Sequence, residues 1–317
     1  MKKRCWIWII GLCSLVACEF DGDLRYQVRT QRGFFWSQAD DGSRGIWVWQ
    51  AGNLMPQAEA AWGVAAEDVL SIDGREGELW IGLQNPNEAW QLDPLTDEVL
   101  QRIPLGDFQP HFLSIGESTL LLGDSSRQQI AFYDRSSESL VVDTIPGIPG
   151  QMAYRSQKYF VQTGPQQLTI YIESAFAPIS EISLSHPIVD LVLDNGVQTI
   201  AITRTGDDFF QSAINYNTNR LQDEFSVRYR KLRPTPFDHQ IYGREYLQNI
   251  QLNGQRLFPG DLQPVEDFEI DFFESQLFLI RNDSLIQRSL LSEEERYLQD
   301  FPDSLVQAWF FVGEVGE

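Results

Sequence analysis

Histidine and cysteine are scarce in this chain. Of its 317 residues, three are histidine and three are cysteine, and every cysteine lies within the first 18 residues. A body without cysteine holds no disulfide and no cysteine-ligated metal, so its stability must come from a hydrophobic core. The sequence also lacks a phosphate-binding glycine loop, a His-Glu-x-x-His motif and a calcium-binding loop. We therefore expect no metal and no cofactor, and no residue stands out as catalytic.

Positive charge is also in short supply. The chain has 24 lysines and arginines against 45 aspartates and glutamates, which gives a formal net charge of −21. Nucleic-acid binding needs a basic surface that neutralises phosphates, so this balance argues against a nucleic-acid partner. The 45 acidic residues also supply too many carboxylate pairs for a glycosidase pair to be recognised among them.

The only long apolar run lies at the N-terminus, in residues 5–16, directly after three basic residues. At 12 residues it is shorter than the roughly 20 that a membrane-spanning helix needs, and it has the form of a secretory signal peptide. The run ends in Leu15-Val16-Ala17-Cys18, which resembles the lipobox of bacterial lipoproteins. The resemblance implies cleavage before Cys18 and acyl chains, palmitate among them, on that cysteine. We accordingly divide the chain into a signal peptide (1–17), a tether (18–23) and one domain (24–317).

The tether Glu19-Phe20-Asp21-Gly22-Asp23 is acidic. An acidic stretch at this place resembles the surface-export signal of Bacteroidetes lipoproteins, although a solvated linker has the same appearance. Two or three acyl chains anchor a protein stably. The expected location is therefore the cell envelope, on the outer membrane through lipid, with exposure at the cell surface.

The body of the chain is predicted to be all-β. Short runs rich in Val, Ile, Leu, Phe, Tyr and Trp alternate with Gly, Asp, Asn, Ser and Pro. Four such runs recur in each unit of about 40 residues, which is typical of a β-propeller blade. The centres of the second strands are predicted at Phe35, Trp80, Leu121, Phe160, Ala201, Tyr242 and Phe278.

This spacing predicts a seven-bladed β-propeller; six or eight blades and a pair of β-sandwich domains are the alternatives. The ring is expected to close by pairing a strand near residues 24–29 with the last blade, where residues 308–312 form a buried strand. Ser292-Glu293-Glu294-Glu295 resembles a capping box and predicts a short helix.

Two hairpins, Trp90 to Leu100 and Phe132 to Leu140, share an apolar residue followed by aspartate, a turn and a second apolar run. They resemble the YVTN-type (YncE-like) propellers of bacterial surfaces. Aspartate at this position is expected to accept backbone N–H groups across the turn. The related hairpin of quinoproteins has a glycine where this chain has Asp97 and a tryptophan where it has Leu100, which counts against a quinoprotein.

Three groups of residues are candidate ligand or partner contacts. His111 and His186 adjoin prolines at predicted strand entrances, where they serve either a ligand or only their neighbours. A basic run in an acidic chain suits an anionic group or an acidic partner, or else a solvated edge strand. Trp47 and Trp49 point to one side of a strand and could stack on a planar ligand or belong to the core. The basic run consists of Arg228, Arg230, Lys231 and Arg233.

These observations favour a lipid-anchored envelope propeller that acts as a binding module. It would capture a small-molecule ligand or dock onto an outer-membrane protein such as a transporter. A propeller enzyme (a lyase, a hydrolase or a quinoprotein-like protein) would need a cluster of polar residues in the channel, which the sequence does not reveal. A scaffold of an envelope assembly is the third hypothesis.

Overall fold

The computed structural model describes residues 30–56, 62–75, 77–193, 198–234, 240–244, 249–252, 255–256, 265–271, 273–290 and 294–312. Cys18, the signal peptide, the tether and residues 24–29 lie outside the described residues. In the described part of the chain, no helix is long and apolar enough to cross a membrane.

The described strands form seven four-stranded antiparallel sheets, and in each sheet the strands pair in the following order. Sheet 1 consists of β28 (Ser304–Phe311), β1 (Arg32–Gln38), β2 (Arg44–Gln50) and β3 (Asn53–Pro56). Sheet 2 consists of β4 (Val69–Arg75), β5 (Glu78–Leu83), β6 (Glu88–Leu92) and β7 (Val99–Pro104). Sheet 3 consists of β8 (Phe112–Ile115), β9 (Thr119–Asp124), β10 (Gln129–Asp134) and β11 (Ser139–Thr144). Sheet 4 consists of β12 (Met152–Arg155), β13 (Lys158–Gly164), β14 (Gln167–Ile172) and β15 (Ala177–Ser183). Sheet 5 consists of β16 (Ile188–Leu193), β17 (Gln198–Thr205), β18 (Asp208–Asn215) and β19 (Arg220–Val227). Sheet 6 consists of β20 (Leu232–Pro234), β21 (Gln240–Arg244), β22 (Asn249–Leu252) and β23 (Gln255–Arg256). Sheet 7 consists of β24 (Asp267–Asp271), β25 (Gln276–Arg281), β26 (Ser284–Ser289) and β27 (Glu295–Asp300). Two single-turn 3-10 helices occupy Ala66–Asp68 and Glu173–Ala175.

Burial falls from the middle of each sheet to its outer edge, which explains the sequence pattern. Every residue of β9 is buried, whereas most residues of β11, the outer strand of the same sheet, are exposed. A strand that is covered on both faces reads as a continuous apolar run, and an outer strand carries polar residues. All seven predicted centres lie in the second strand of a different sheet. The prediction of an all-β propeller is thus confirmed.

Apolar clusters join neighbouring sheets face to face. One cluster links sheets 1 and 2, and others link 2 with 3, 3 with 4, 4 with 5, and 5 with 6. Sheet 7 contributes a cluster of its own and shares another with sheet 1. In that shared cluster Phe35 meets Phe278 edge to face, with ring centroids 4.9 Å apart. Burying a phenylalanine fully stabilises the fold by about 1.5–3 kcal/mol, so each interface contributes substantially.

The described ring closes through its two ends, while residues 24–29, which were predicted to pair with the last blade, lie outside the described residues. The C-terminal strand β28 is the first strand of sheet 1 and pairs with β1, with Phe34 opposite Trp309. The last strand therefore completes the N-terminal sheet. The prediction that residues 308–312 contain a closing strand is correct, since Trp309 and Phe311 are buried.

Aspartate and asparagine side chains fold the hairpins between third and fourth strands. Asp93 accepts the backbone N–H groups of Leu95 and Thr96 at 2.8 and 3.1 Å. Asp134 and Asn215 accept N–H groups in the same way in sheets 3 and 5. The predicted role of the hairpin aspartates is confirmed at Asp93 and Asp134.

The predicted helix near residue 292 is wrong. Glu295 begins β27, which pairs with β26 and completes sheet 7. Pairing along a sheet edge outweighs a local capping pattern because the sheet satisfies a whole row of backbone groups at once.

Candidate functional site

The first strands of the sheets surround a central channel of about 670 Å³. Each of β4, β8, β12, β16, β20, β24 and β28 contributes lining residues. A volume of this size is typical of pockets that hold small molecules. The channel charges, as we call the ionisable side chains of its lining apart from tyrosine, are Asp73, Arg75, Glu117, Arg155, Asp190, Arg233 and Glu269.

A buried ion network occupies one side of the channel. It consists of Lys231, Arg233, Asp190, Asp267 and Glu269. The Nζ atom of Lys231 lies 2.7 Å from Glu269 and 3.1 Å from Asp267, and it also donates to the Leu305 carbonyl at 2.8 Å. Arg233 bridges Glu269 at 3.0 Å and Asp190 at 3.1 Å. The network thereby ties sheets 5, 6, 7 and 1 together around the channel.

The arginine in this network is held in its charged form. Burial alone would lower the pKa of Arg233, but the charges of Glu269 and Asp190 outweigh burial and raise that pKa. Every carboxylate of the network has a cationic partner, although three carboxylates share two cations.

Elsewhere on the channel wall, two arginines lie against tyrosine rings. The guanidinium of Arg75 lies 4.8 Å from the centroid of Tyr154, and that of Arg155 lies 4.8 Å from the centroid of Tyr216. Both arginines are the last residues of first strands, β4 and β12. Cation–π contacts of this kind fix the plane of the guanidinium.

A buried glutamate fixes Tyr154. The Tyr154 hydroxyl donates to Oε2 of Glu173, while Oε1 accepts from the backbone and side chains of Ser118 and Thr119. Burial acts to raise the pKa of Glu173, but these hydrogen bonds outweigh burial and lower it. Burial and the same contact with Glu173 raise the pKa of Tyr154. The ring beneath Arg75 is therefore rigidly placed.

Asp73 is a channel carboxylate whose burial is poorly compensated. It accepts the N–H groups of Gly74 at 2.9 Å and Ile115 at 3.0 Å. Burial raises the pKa of Asp73 to about 6, against the lowering effects of these hydrogen bonds, of the Trp309 indole and of the Arg75 charge. A carboxylate that titrates near neutrality in a cavity is able to exchange a proton or to accept a cation.

The two predicted tryptophans lie in the interface between sheets 1 and 7. Trp49 is 5% exposed and packs against Phe278, with ring centroids 5.4 Å apart. Trp47 is half-buried, lies 5.1 Å from the ring of Phe301 and donates to Ser37. The expectation that both point to one side is confirmed, and that side is a sheet interface.

The two predicted histidines stand just before first strands, His111 before β8 and His186 before β16. The Nδ1 atom of His111 lies 3.6 Å from Oδ1 of the buried Asp124. His186 stacks on Phe210 with ring centroids 4.1 Å apart. Neither histidine lines the channel.

The predicted basic run divides in two. Arg228 and Arg230 are exposed, and Arg230 donates to the Glu266 carbonyl. Lys231 is buried and Arg233 lines the channel, and their acidic partners belong to this same chain. Internal carboxylates surround these two residues, so they are not part of a solvated edge strand, and their role as ligand or partner contacts stays a prediction.

Sequence reasoning missed most of the channel charges. It revealed no polar cluster in the channel, yet carboxylates and arginines converge there. The signal was present as charged residues inside first strands: Asp190 is the one charge in Ile188–Leu193, and Glu269 is one of three carboxylates in Asp267–Asp271. A charge amid apolar strand residues is tolerated where the strand borders a water-filled cavity.

Comparisons with known proteins match the fold and nothing narrower. No family model matches the chain, and no curated protein matches it. It is similar to a quinoprotein alcohol dehydrogenase-like protein from Bacteroides thetaiotaomicron, with 11% identity, a TM-score of 0.65, and coverage of 89% of this chain and 78% of that one. It is similar to the computationally designed Ika8 protein, with 12% identity, a TM-score of 0.58, and coverage of 89% and 90%. It also resembles the dihydro-heme d1 dehydrogenase NirN in complex with DHE, with 12% identity, a TM-score of 0.56, and coverage of 86% and 67%. At such identities the likeness concerns the fold alone.

Proposed function

We propose that this chain is a lipid-anchored envelope protein whose seven-bladed propeller binds a small polar ligand in its central channel. The observation that carries the proposal is the cavity of about 670 Å³, lined by every first strand and by the channel charges. The seven four-stranded sheets support the blade count. Small-molecule sites are concave and carry a few convergent polar groups, so the convergence of these charged groups on one cavity favours binding.

The anchor in this proposal is Cys18. Thr30, the first described residue, lies twelve residues after Cys18. Fully extended, twelve residues reach about 40 Å, so the propeller would stay close to the membrane surface. The hydroxyl of Thr30 donates to Asp271 at 2.5 Å, which would attach the end of the tether to sheet 7.

The ligand is tested by native mass spectrometry of protein purified from the cells that produce it. We expect a bound small molecule that is absent from Gln307→Trp, because Gln307 is exposed and lines the channel. Gln222→Trp is the matched control, since Gln222 is exposed on the outer strand β19. If neither the parent protein nor the control carries a ligand that Gln307→Trp lacks, the channel is not a binding site.

The anchor and the location are tested separately. Labelled palmitate should enter the parent protein and Cys13→Ser but not Cys18→Ser. Protease added to intact cells should cleave the protein if it is displayed at the surface, and it should spare a periplasmic protein. Recovery of an outer-membrane transporter with the tagged protein would support docking, whereas a large complex on a native gel without ligand would favour a scaffold.

An enzyme is the second candidate, and Asp73 is the observation that favours it. A carboxyl group with a pKa of about 6 in a cavity suits general acid–base catalysis at neutral pH. The resemblance to proteins described as dehydrogenases adds only a fold-level analogy. If the ligand found by mass spectrometry is released unchanged after incubation with the protein, the binding function stands and the enzyme is refuted.

A further inference from the structure

The carboxylates that line the channel differ in how their charges are compensated. Asp190 and Glu269 both form ion pairs with Arg233. Asp73 lies on the wall formed by sheet 2, where each of its two carboxylate oxygens accepts one backbone N–H group. No basic side chain in the described part of the chain forms an ion pair with Asp73. Because a carboxylate oxygen has two lone pairs, each oxygen of Asp73 retains one that can accept a donor from the channel.

The charge of Arg75 acts on Asp73, but this arginine is itself engaged. Its guanidinium lies 4.8 Å from the centroid of the Tyr154 ring and donates to the Ile115 carbonyl at 3.5 Å. The charge of Arg75 lowers the pKa of Asp73, yet burial outweighs it and holds that pKa at about 6. Arg75 therefore compensates Asp73 only in part, and a second cation would favour the ionised carboxylate further.

A buried donor without a partner lies beside this carboxylate. Trp309 lines the channel and is 7% exposed, and its Nε1 atom has no hydrogen-bond partner among the described residues. The indole lies close enough to Asp73 to lower the pKa of that carboxyl. Gly74 permits this approach, because a Cβ atom at its position would lie 2.9 Å from the indole ring. Buried N–H groups without a partner are rare in proteins, so this one indicates an acceptor that occupies the channel.

We propose that the central channel takes a cationic amino alcohol, with its ammonium group on Asp73 and its neighbouring hydroxyl oxygen on the indole N–H of Trp309. This inference rests on the proposed binding function and specifies its ligand. The ammonium group supplies a cation to the carboxylate, and the hydroxyl on the adjacent carbon supplies an acceptor to the indole. An uncharged alcohol would leave the carboxylate without an ion pair, and a simple amine would leave the indole N–H unpaired.

The test uses the full protein in detergent and three probes that share one six-membered ring. They are 2-aminocyclohexanol, cyclohexylamine, which lacks the hydroxyl group, and cyclohexanol, which lacks the ammonium group. In calorimetry at pH 7, 2-aminocyclohexanol should bind about tenfold more tightly than cyclohexanol and about fivefold more tightly than cyclohexylamine. The first ratio is the larger because a hydrogen bond to a charged group contributes more than a neutral one.

Two substitutions assign the two groups. Asp73→Asn should abolish the advantage over cyclohexanol, and Trp309→Phe should abolish the advantage over cyclohexylamine. Trp49→Phe is the matched control, because Trp49 is also buried but packs in the interface between sheets 1 and 7. Glu181→Gln removes an exposed carboxylate on β15, and neither control should alter the two ratios. Each ratio compares two probes on the same variant, so a partial loss of folded protein cancels.

Proton release provides a readout that a merely structural role would not produce. An ammonium group on Asp73 favours the ionised carboxylate, so binding at pH 6 should release protons, which calorimetry in two buffers of different ionisation enthalpy measures. The alkyl ammonium group keeps its own proton at this pH. Around Asp73, β4 contributes the charge of Arg75, β8 a backbone N–H group and β28 the Trp309 indole, and none of these titrates near pH 6. Release that persists in Asp73→Asn would assign the effect to another channel charge, such as Glu117, and would overturn the proposal.

The possible results separate this inference from the proposed function. If no amino alcohol binds while mass spectrometry finds another ligand that Gln307→Trp excludes, the ligand class is wrong and the binding function stands. Equal binding of the three probes, or displacement of 2-aminocyclohexanol by calcium chloride at matched ionic strength, also overturns the assignment. If Gln307→Trp changes no bound molecule, the binding function itself fails.

Discussion

The buried ion network predicts that Lys231→Met lowers the free energy of unfolding. Methionine keeps an unbranched apolar stem close to that of lysine but removes the charged end. The lysine side chain is 8% exposed, and its partners Asp267 and Glu269 are 9% and 3% exposed. Removing one partner of a buried ion pair costs about 3–5 kcal/mol, because an uncompensated charge stays behind. Glu269 keeps Arg233 at 3.0 Å, so we expect the lower end, a loss of about 3 kcal/mol.

The assay is urea unfolding followed by tryptophan fluorescence at pH 7. Arg127→Met serves as the control, because Arg127 and its partner Asp107 are 47% and 87% exposed and lie 3.6 Å apart. An exposed pair contributes little, so this change should cost less than about 1 kcal/mol. The double variant Lys231→Met with Asp267→Asn should recover part of the loss, since it removes one of the stranded charges. A loss below about 1 kcal/mol for Lys231→Met, with an unchanged urea dependence, would refute the view that the network supports the ring.

Three further predictions concern single side chains. Glu173→Gln should destabilise the protein at pH 7. The stability difference from the parent protein should shrink as the pH falls through the lowered folded-state pKa of Glu173, because the parent protein then loses the same carboxylate. Urea midpoints from pH 7 to pH 3 measure this trend, and a constant difference would contradict it. Asp73→Asn should gain stability relative to the parent protein as the pH rises from 4 to 6, and this gain should level off above pH 6. The reason is that the carboxyl group of Asp73 ionises near 3.8 in the unfolded chain and at about 6 in the folded protein. Thermal melting across this range tests the sign, and an advantage of the variant that grows on acidification would overturn the prediction. Gly74→Ala should destabilise sheets 1 and 2, because its Cβ would meet Trp309 at 2.9 Å; a melting temperature equal to that of the parent protein would show that β28 yields without cost.

The repeat was readable from the sequence because strand burial imposes it. Second strands are covered on both faces, so residues such as Trp80 and Phe160 recur as apolar centres at a spacing of about 40 residues. The hairpin aspartates were also readable, since their hydrogen bonds are local. Hydrogen bonds between residues close in sequence and the burial of strands both produce sequence patterns with a fixed spacing.

The channel and the closing strand were not readable in the same way. Arg233 lies 36 residues from Glu269 and 43 from Asp190. No sequence period predicts that these three residues are in contact. In the sequence, Lys231 and Arg233 resembled a surface patch, because a basic run does not indicate which side chains lie opposite it in the fold. β28 and β1 pair although almost the whole chain lies between them. The sequence pattern predicts that both segments are strands, but it does not predict that they pair with each other.

Because β28 pairs with β1, the ring of sheets can close only after the C-terminal strand is present. Arg32 and Phe311 are register partners, so the two ends of the described chain must both be present before sheet 1 has its first strand. A chain that is shortened before Ser304 would expose the backbone groups of β1 and the apolar face of Phe35, which invites association with other copies. Contacts between such distant segments form slowly. The last eight-residue strand therefore closes the ring: until β28 pairs with β1, the edge of sheet 1 stays open to association with other chains.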